Sequence, residues 1–241
     1  MATWNGARFL NEQLKSVIPQ LGSEDEIVVV DDASSDSTLE ILRRTAVESQ
    51  APPIRIQQNE RNLGPVRSFE RALASARGEI LLLCDQDDRW LPGKVQRIRT
   101  VFELNPNTTL VVTDGQLIDG NGEVLDPSLT SYRRYRPGLL RNLVSNTFVG
   151  CTMAFRRSSL QYCLPIPAGT PMHDQWIGLL HTIYGSVDYI DEPLIQYRRH
   201  SSNATADRHA SWVRMVNWRW SLTTNLLGRW WKSTVAAVEK G

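Results

Sequence analysis

The run Asp85-Gln86-Asp87-Asp88 places four acceptor-rich side chains within one turn of chain. Carboxylates this close repel strongly unless a cation neutralises them. Hard oxygen donors on a loop suit Mg²⁺ or Mn²⁺ bridged to a substrate diphosphate. Standing alone, the same run would read equally well as a solvated turn or a helix-capping cluster. It does not stand alone, because Asp31 and Asp32 close a different apolar run. A carboxylate there can accept hydrogen bonds from a ribose or from the N–H of a base, although one of the two could simply cap the next helix. No G-x-G-x-x-G follows the first strand and no G-x-x-x-x-G-K-[S/T] occurs anywhere. A dinucleotide dehydrogenase and a P-loop NTPase are therefore disfavoured, and phosphate must be held by metal.

These acids need a scaffold that brings them together. Residues 26–32 form a continuous β-branched run of the kind buried on both faces of a sheet. Asp36 and Ser37, with Glu40, offer an N-cap and capping box for a helix reaching about Glu48. A strand over 54–58 follows, then a short helix over 69–76 that should stop with a left-handed cap at Gly78. The apolar strand 79–84 runs directly into the acidic cluster, and Pro92 sits at the first turn of a helix over 93–104. This alternation predicts an α/β fold with a mostly parallel central sheet flanked by helices. Both acidic pairs then lie at the carboxyl edge of the sheet, where ligands bind in open α/β folds. Met1 to Gly6 hold only a stub of the expected first strand before an amphipathic helix with Phe9, Leu10, Leu14, Val17 and Ile18 on one face.

Beyond about residue 107 the pattern changes. Residues 110–113 and 116–119 read as strands, Gly120-Asn121-Gly122 as a turn, and a long irregular stretch rich in Tyr and Arg follows. The simplest organisation is one domain over 1–205, with a nucleotide-binding half (1–107) and an acceptor-binding half (108–205). A helical, tryptophan-rich tail (206–241) completes the chain.

A chain of 241 residues with 41% hydrophobic content can bury a real core, which excludes disordered and fibrous classes. Its 27 basic and 26 acidic residues leave a net charge of +1, so no overall field draws it to nucleic acid, and any charge-based recognition is local. Cys84, Cys151 and Cys163 lack metal or disulfide spacing and fit a reducing compartment as small apolar fillers. No run approaches the roughly 20 apolar residues needed to cross a bilayer, and no signal-peptide pattern opens the chain. The expectation is a cytoplasmic protein, peripheral at the inner face of the plasma membrane if something tethers it.

The segments Ala2-Thr3-Trp4-Asn5-Gly6, Val30-Asp31-Asp32-Ala33-Ser34-Ser35-Asp36-Ser37-Thr38, Asn62-Leu63-Gly64 and Cys84-Asp85-Gln86-Asp87-Asp88 together resemble the family 2 glycosyltransferases with the GT-A fold, in order and in spacing. The resemblance continues through Gly150 to Phe155, His173-Asp174-Gln175-Trp176 and Tyr197-Arg198-Arg199-His200-Ser201-Ser202-Asn203, and it covers roughly residues 1 to 205. By pattern it is nearest to rhamnosyltransferase-like members. The resemblance implies that Thr3, Asn5 and Asp32 hold the nucleotide, that Asp85 contacts ribose or metal, and that Asp87 is the principal metal ligand, with Asp88 a helper. It implies that Asp174 is the base of an inverting transfer, removing the proton from the acceptor hydroxyl as that oxygen attacks the anomeric carbon from the face opposite the diphosphate. That chemistry needs one base on the acceptor side and charge stabilisation on the leaving group. Asp174 opens a predicted helix over 174–183, whose N-terminus stabilises an anion and would equally suit a plain N-cap. His173 either orients Asp174 or lies on the surface. His200 either reaches the metal or is a surface loop histidine. One of Arg198 and Arg199 could clamp phosphate, because neighbours on a strand face opposite sides.

Trp212, Trp218, Trp220, Trp230 and Trp231 place five of the chain's eight tryptophans in the tail, among Arg214, Arg219, Arg229 and Lys232. Such a mixture favours a membrane interface, a dimer contact or a cover over the catalytic domain. The functional expectation is transfer of a sugar, rhamnose by the resemblance, from a nucleotide-diphosphate donor to a glycan or lipid-linked acceptor in cell-surface polysaccharide synthesis. A nucleotidyltransferase would need a glycine-rich basic loop near the first strand, where residues 1–8 hold one glycine and one arginine. A catalytically silent scaffold would have no need to keep both the acidic run and Asp174. A glycosidase uses two carboxylates that flank the sugar, not a cluster on one turn.

Overall fold

The β-branched run folds as β2 (Ile27–Asp31), buried along its whole length. It pairs in parallel with β1 (Ala2–Thr3) on one side and β3 (Ile54–Gln58) on the other, with Thr3 and Gln58 both in register with Asp31. Helix α1 (Ala7–Val17) connects β1 to β2, α2 (Thr38–Glu48) connects β2 to β3, and α3 (Pro65–Ser75) leads from β3 out of this sheet. The computed structural model describes residues 1–48, 52–133, 138–200 and 212–238.

A second sheet contains β4 (Ile80–Leu82), β5 (Arg89–Trp90), β6 (Leu110–Ile118), β7 (Val124–Asp126), β8 (Met153–Arg156) and β9 (Val187–Arg198). Its order is β4-β8-β6-β9-β5, with β7 attached to β6. Around it lie α4 (Lys94–Leu104), α5 (Leu129–Arg133), α6 (Leu139–Val144), α7 (Leu160–Cys163), α8 (His173–Tyr184) and α9 (Trp212–Val238). The α/β class with a parallel sheet flanked by helices is therefore as expected. In the second sheet only β6 and β9 run parallel, and the other pairs are antiparallel. Short connections permit antiparallel neighbours, as at the turn through Gly122 (φ 92°) that joins β6 to β7. An apolar cavity of about 660 Å³ lined by Ile27, Val28, Leu81 and Leu83 separates β2 from β4, and none of Asp85, Asp87 and Asp88 lines it.

Several local expectations change. The two strands read over 110–113 and 116–119 are one strand, β6, whose register against β9 shifts around Asp114. A Cβ on Gly115 would lie 2.7 Å from Ile195 Cγ2 and 2.9 Å from its carbonyl oxygen, so the two backbones approach too closely for any side chain. Helix α3 begins at Pro65, earlier than the apolar pattern indicates, because Gly64 (φ 84°) turns the chain into a proline preset for the first turn. It ends without a left-handed cap: Ala76 is extended and its N–H reaches Leu73 O at 3.2 Å. At α2, Asp36 accepts N–H groups from Thr38 (3.0 Å) and from Ala7 (3.1 Å), which ties the start of α2 to the start of α1.

The tail is part of the body. Leu222 and Leu226 of α9 join the same buried cluster as Phe155, Trp176 and Leu179. Among the described residues no helix is long and apolar enough to cross a membrane.

Candidate active site

The donor edge is built from the loops that leave β1 and β2. Thr3 Oγ1 donates to Asp31 Oδ1 at 3.0 Å, and Ser34 adds its hydroxyl (2.6 Å) and its N–H (3.0 Å) to the same carboxylate. Asn5 takes a left-handed turn (φ 47°). Its N–H reaches Ser34 Oγ at 2.9 Å and its Oδ1 accepts the Ser35 N–H at 2.8 Å. Asp32 accepts from Asn59 Nδ2 at 2.7 Å and from the N–H groups of Leu63 and Gly64, both at 2.8 Å. Thr3, Asn5 and Asp32 thus spend their polar groups on framing this edge, and the 62–64 motif is the loop that Asp32 holds.

Gln86 couples this frame to the acidic run. Its side-chain amide pairs with the backbone of Trp4 in both directions, at 2.8 and 3.0 Å. Gly6 is required alongside, since a Cβ there would collide with that amide.

The three carboxylates of the run have different surroundings. Asp85 is half-buried, and burial followed by repulsion from Asp87 and Asp174 raises its pKa to about 7. Asp87 is raised by burial while His200 counters the shift, with Nε2 2.9 Å from Asp87 Oδ2. Asp88 is buried and turned inward, where Oδ1 accepts the Arg198 N–H at 3.0 Å and Oδ2 has no hydrogen-bond partner among the described residues. Burial also pushes the Cys151 thiol well above its ordinary range, so it stays protonated.

Positive charge backs the run from three directions. Arg198 is wholly buried and donates to Asp87 O at 2.8 Å and to Glu12 Oε2 at 2.6 Å. Phe9 carries both this guanidinium (4.7 Å from the ring centre) and the His200 ring (4.8 Å). Lys94, also buried, donates to Cys151 O at 2.7 Å, and burial lowers its pKa. Of the two arginines offered as phosphate clamps, Arg198 is committed to the acidic loop and Arg199 reaches Tyr132 OH at 2.8 Å. The Ser201 to Asn203 end of that motif lies outside the described residues.

This donor set fits a hard divalent cation. Asp85 and Asp87 supply oxygen atoms on a half-buried loop, and their mutual repulsion is what a cation relieves. Asp85, Asp88 and Cys151 also bring ligating atoms within 4.8 Å of one another. A protonated thiol is a poor partner for Mg²⁺ or Mn²⁺, so the pair Asp85 and Asp87, with His200 beside them, is the better set.

The opposite side of the site is set by α8. Asp174 lies in its first turn, buried, where the helix dipole favours an anion. Its carboxylate accepts from Gly150 N (3.2 Å), Asn146 Nδ2 (3.3 Å) and its neighbour's N–H at Gln175 (2.6 Å). His173 is not a surface residue. It stacks on Phe69 with ring centres 4.0 Å apart, burial lowers its pKa to about 3, and its Nε2 has no hydrogen-bond partner among the described residues. Its ring packs on Phe69 and lies 3.3 Å from where a Cβ on Gly150 would stand, so it shapes the wall of the site.

Sequence reasoning missed Lys94, Glu12 and Asn146. Lys94 was detectable, because it shares a helix face with Ile98 and Phe102, both buried. Glu12 and Asn146 act through contacts distant in sequence, and no local spacing marks them.

Residues 1–164 match the family model described as glycosyl transferase family 2. The chain is 30% identical over 210 residues to an uncharacterized glycosyltransferase of Nostoc sp., covering 84% of this chain and 64% of that protein. It is 25% identical over 213 residues to a putative teichuronic acid biosynthesis glycosyltransferase, TuaG, of Bacillus subtilis, covering 86% and 80% of the two chains. In structure it is similar to S. aureus TarS 1-349 in complex with UDP-GlcNAc, with a TM-score of 0.69, 21% identity and coverage of 87% of this chain and 60% of that one. It also resembles the mannosyltransferase PcManGT from Pyrobaculum calidifontis in complex with GDP-Man and Mn²⁺, with a TM-score of 0.58, 22% identity and coverage of 80% and 53%. The chain thus spans less than two thirds of the Nostoc protein and of the TarS chain. With the acidic run, Asp32 and Asp174 in one fold of this kind, the chain belongs to the family 2 glycosyltransferases.

Proposed function

We propose that the protein is a metal-dependent, inverting glycosyltransferase that moves a sugar from a nucleotide-diphosphate donor to a hydroxyl of a glycan or lipid-linked acceptor. The observation that supports this reading best is the convergence of Asp174 on the acidic run. Gly150 N donates to Asp174 at 3.2 Å, and the next residue, Cys151, brings its sulfur within 4.8 Å of the carboxylates of Asp85 and Asp88, so α8 and the acidic run meet at one turn although 89 positions separate Asp174 from Asp85 (174 minus 85). A base on one side and a cation-binding pair on the other are the two things that direct displacement at an anomeric carbon needs.

In this reading Asp174, held by Gly150 and Asn146, accepts the proton from the acceptor hydroxyl as its oxygen attacks from the face opposite the diphosphate. The products are the inverted glycoside and the nucleoside diphosphate. A divalent cation held by Asp85 and Asp87, with His200 alongside, supplies Lewis-acid stabilisation to the leaving diphosphate. Thr3, Asn5 and Asp32 keep the nucleotide edge in shape. The acceptor class is supported by the relative whose name assigns it to teichuronic acid biosynthesis.

The test is release of nucleoside diphosphate from a panel of sugar nucleotides with Mn²⁺. The panel includes UDP-GlcNAc and GDP-mannose, which the structural neighbours are named with, and dTDP-rhamnose, which the sequence resemblance favours. Turnover of one donor, lost on chelation and lowered about 10²–10⁴-fold in Asp174→Asn, is expected for removal of a general base. No turnover of any donor, or full activity in Asp174→Asn, contradicts the reading.

A further inference from the structure

Helix α9 sorts its side chains into two faces. Leu222 and Leu226 are buried in the core. The two arginines that interrupt the aromatic run also turn inward, where they hold backbone carbonyls. Arg219 donates to Val144 O at 2.7 Å, and Arg229 donates to Leu164 O and Pro165 O, each at 2.6 Å. Both are half-buried, and turned this way they leave apolar side chains exposed on the outer face beside Asn217 and Thr224. Val216, Trp220, Leu227 and Trp231 are 52%, 72%, 59% and 65% exposed and fall on one stripe at helical spacing. Helix α6, packed beside α9, adds Leu140 and Val144, 78% and 64% exposed. An apolar surface of this kind marks an interaction site.

Charge selects the occupant. Apart from the two arginines engaged with the body, the segments 139–144 and 212–238 contain Arg141, Arg214 and Lys232 and no Asp or Glu. Tryptophan, aliphatic side chains and cations without carboxylates match a helix lying in the interface of an anionic bilayer. Position gives the surface a use. The Asn142 carbonyl of α6 accepts Gln175 Nε2 at 2.7 Å, and Asn146, just past the end of α6, donates to Asp174. One short helix therefore borders both the apolar face and the acceptor side of the cleft.

We infer that α6 and α9 together form a docking surface for an anionic lipid bilayer, which presents the Asp174 side of the cleft to the membrane. The orientation rests on the acceptor reading of Asp174; the docking itself does not. The test is flotation of the full chain, without donor or metal, on vesicles of phosphatidylcholine alone and of phosphatidylcholine with phosphatidylglycerol. Retention on the anionic vesicles is expected, with a blue shift of tryptophan emission and loss at high salt. A Trp220→Ser, Trp231→Ser double variant is expected to bind at least about tenfold more weakly, since interfacial binding scales with buried apolar area. Its thermal midpoint and donor turnover should match the parent's. Equal retention on neutral vesicles would overturn the assignment to an anionic surface. No retention on either vesicle, parental binding by the double variant, or a concentration-dependent dimer that the two substitutions abolish would overturn the docking. Because substrate is absent, such a failure is distinguishable from failure of the transfer reaction.

Discussion

Asp88 turns inward to a backbone N–H, while Asp85 and Asp87 stay half-buried at the cleft, so three acids of one short run have different roles. Their placement depends on Arg198, whose fork holds the Asp87 carbonyl and Glu12 at once. Arg198→Lys keeps the charge and loses the fork. It is expected to cost about 1–3 kcal/mol in urea unfolding and to weaken Mn²⁺ binding in a direct titration. A pH effect follows from His181, which is wholly buried in α8, its pKa lowered to about 3 by burial. The unfolded chain takes up that proton near pH 6.5, whereas the folded protein does not. Stability from this group is therefore full above about pH 6.5 and is lost as pH falls toward about 3. In His181→Gln that loss is absent. The variant's deficit in thermal midpoint should shrink between about pH 7.5 and about pH 5, and a constant deficit would contradict the assignment. None of these neighbours was legible in the sequence. The acidic run and Asp174 could be picked out by residue type and motif order, but Arg198, Glu12 and Asn146 gain their roles only from long-range contacts.

Elements were more legible than side-chain partners. The runs 26–32, 54–58 and 79–84 each correspond to a strand, and the β-branched run of β2 is the clearest because it is buried along its whole length. What sequence periodicity did not show was where backbones touch. The bulge at Asp114 and Gly115 comes from Ile195, about eighty residues away, and it merges two expected strands into one. The tail illustrates the same limit, since its arginines look scattered along the sequence yet all those described face carbonyl groups of the body. If α9 is integral to the fold, Leu222→Ala should cost about 2–4 kcal/mol in denaturant unfolding, the range for deleting a buried leucine side chain. Trp220→Ser, on the outer face, should stay within about 0.5 kcal/mol of the parent. Equal effects of the two would contradict the two-faced description.

For the molecule as a whole, the two sheets divide the labour. The parallel sheet and its loops frame Thr3, Asn5 and Asp32, whereas the mixed sheet and α8 present the acidic run, between β4 and β5, together with Asp174 and His200; Gln86 ties the run to the parallel sheet through Trp4. The sequence pattern put the boundary between two halves near residue 107, whereas β4 and β5, which precede it, already belong to the mixed sheet. It did not anticipate the antiparallel pairing of the second sheet, because short strands with irregular connections carry no sign of their partners. The central claim is that donor binding and deprotonation belong to opposite walls of one cleft. Calorimetric titration of nucleoside diphosphate with Mn²⁺, run beside transfer assays on Asp87→Ala and Asp174→Asn, tests it directly. The account predicts that Asp87→Ala loses metal-dependent nucleotide binding, while Asp174→Asn binds nucleotide as the parent does and fails in transfer. Unchanged binding by Asp87→Ala, or unchanged transfer by Asp174→Asn, would contradict it.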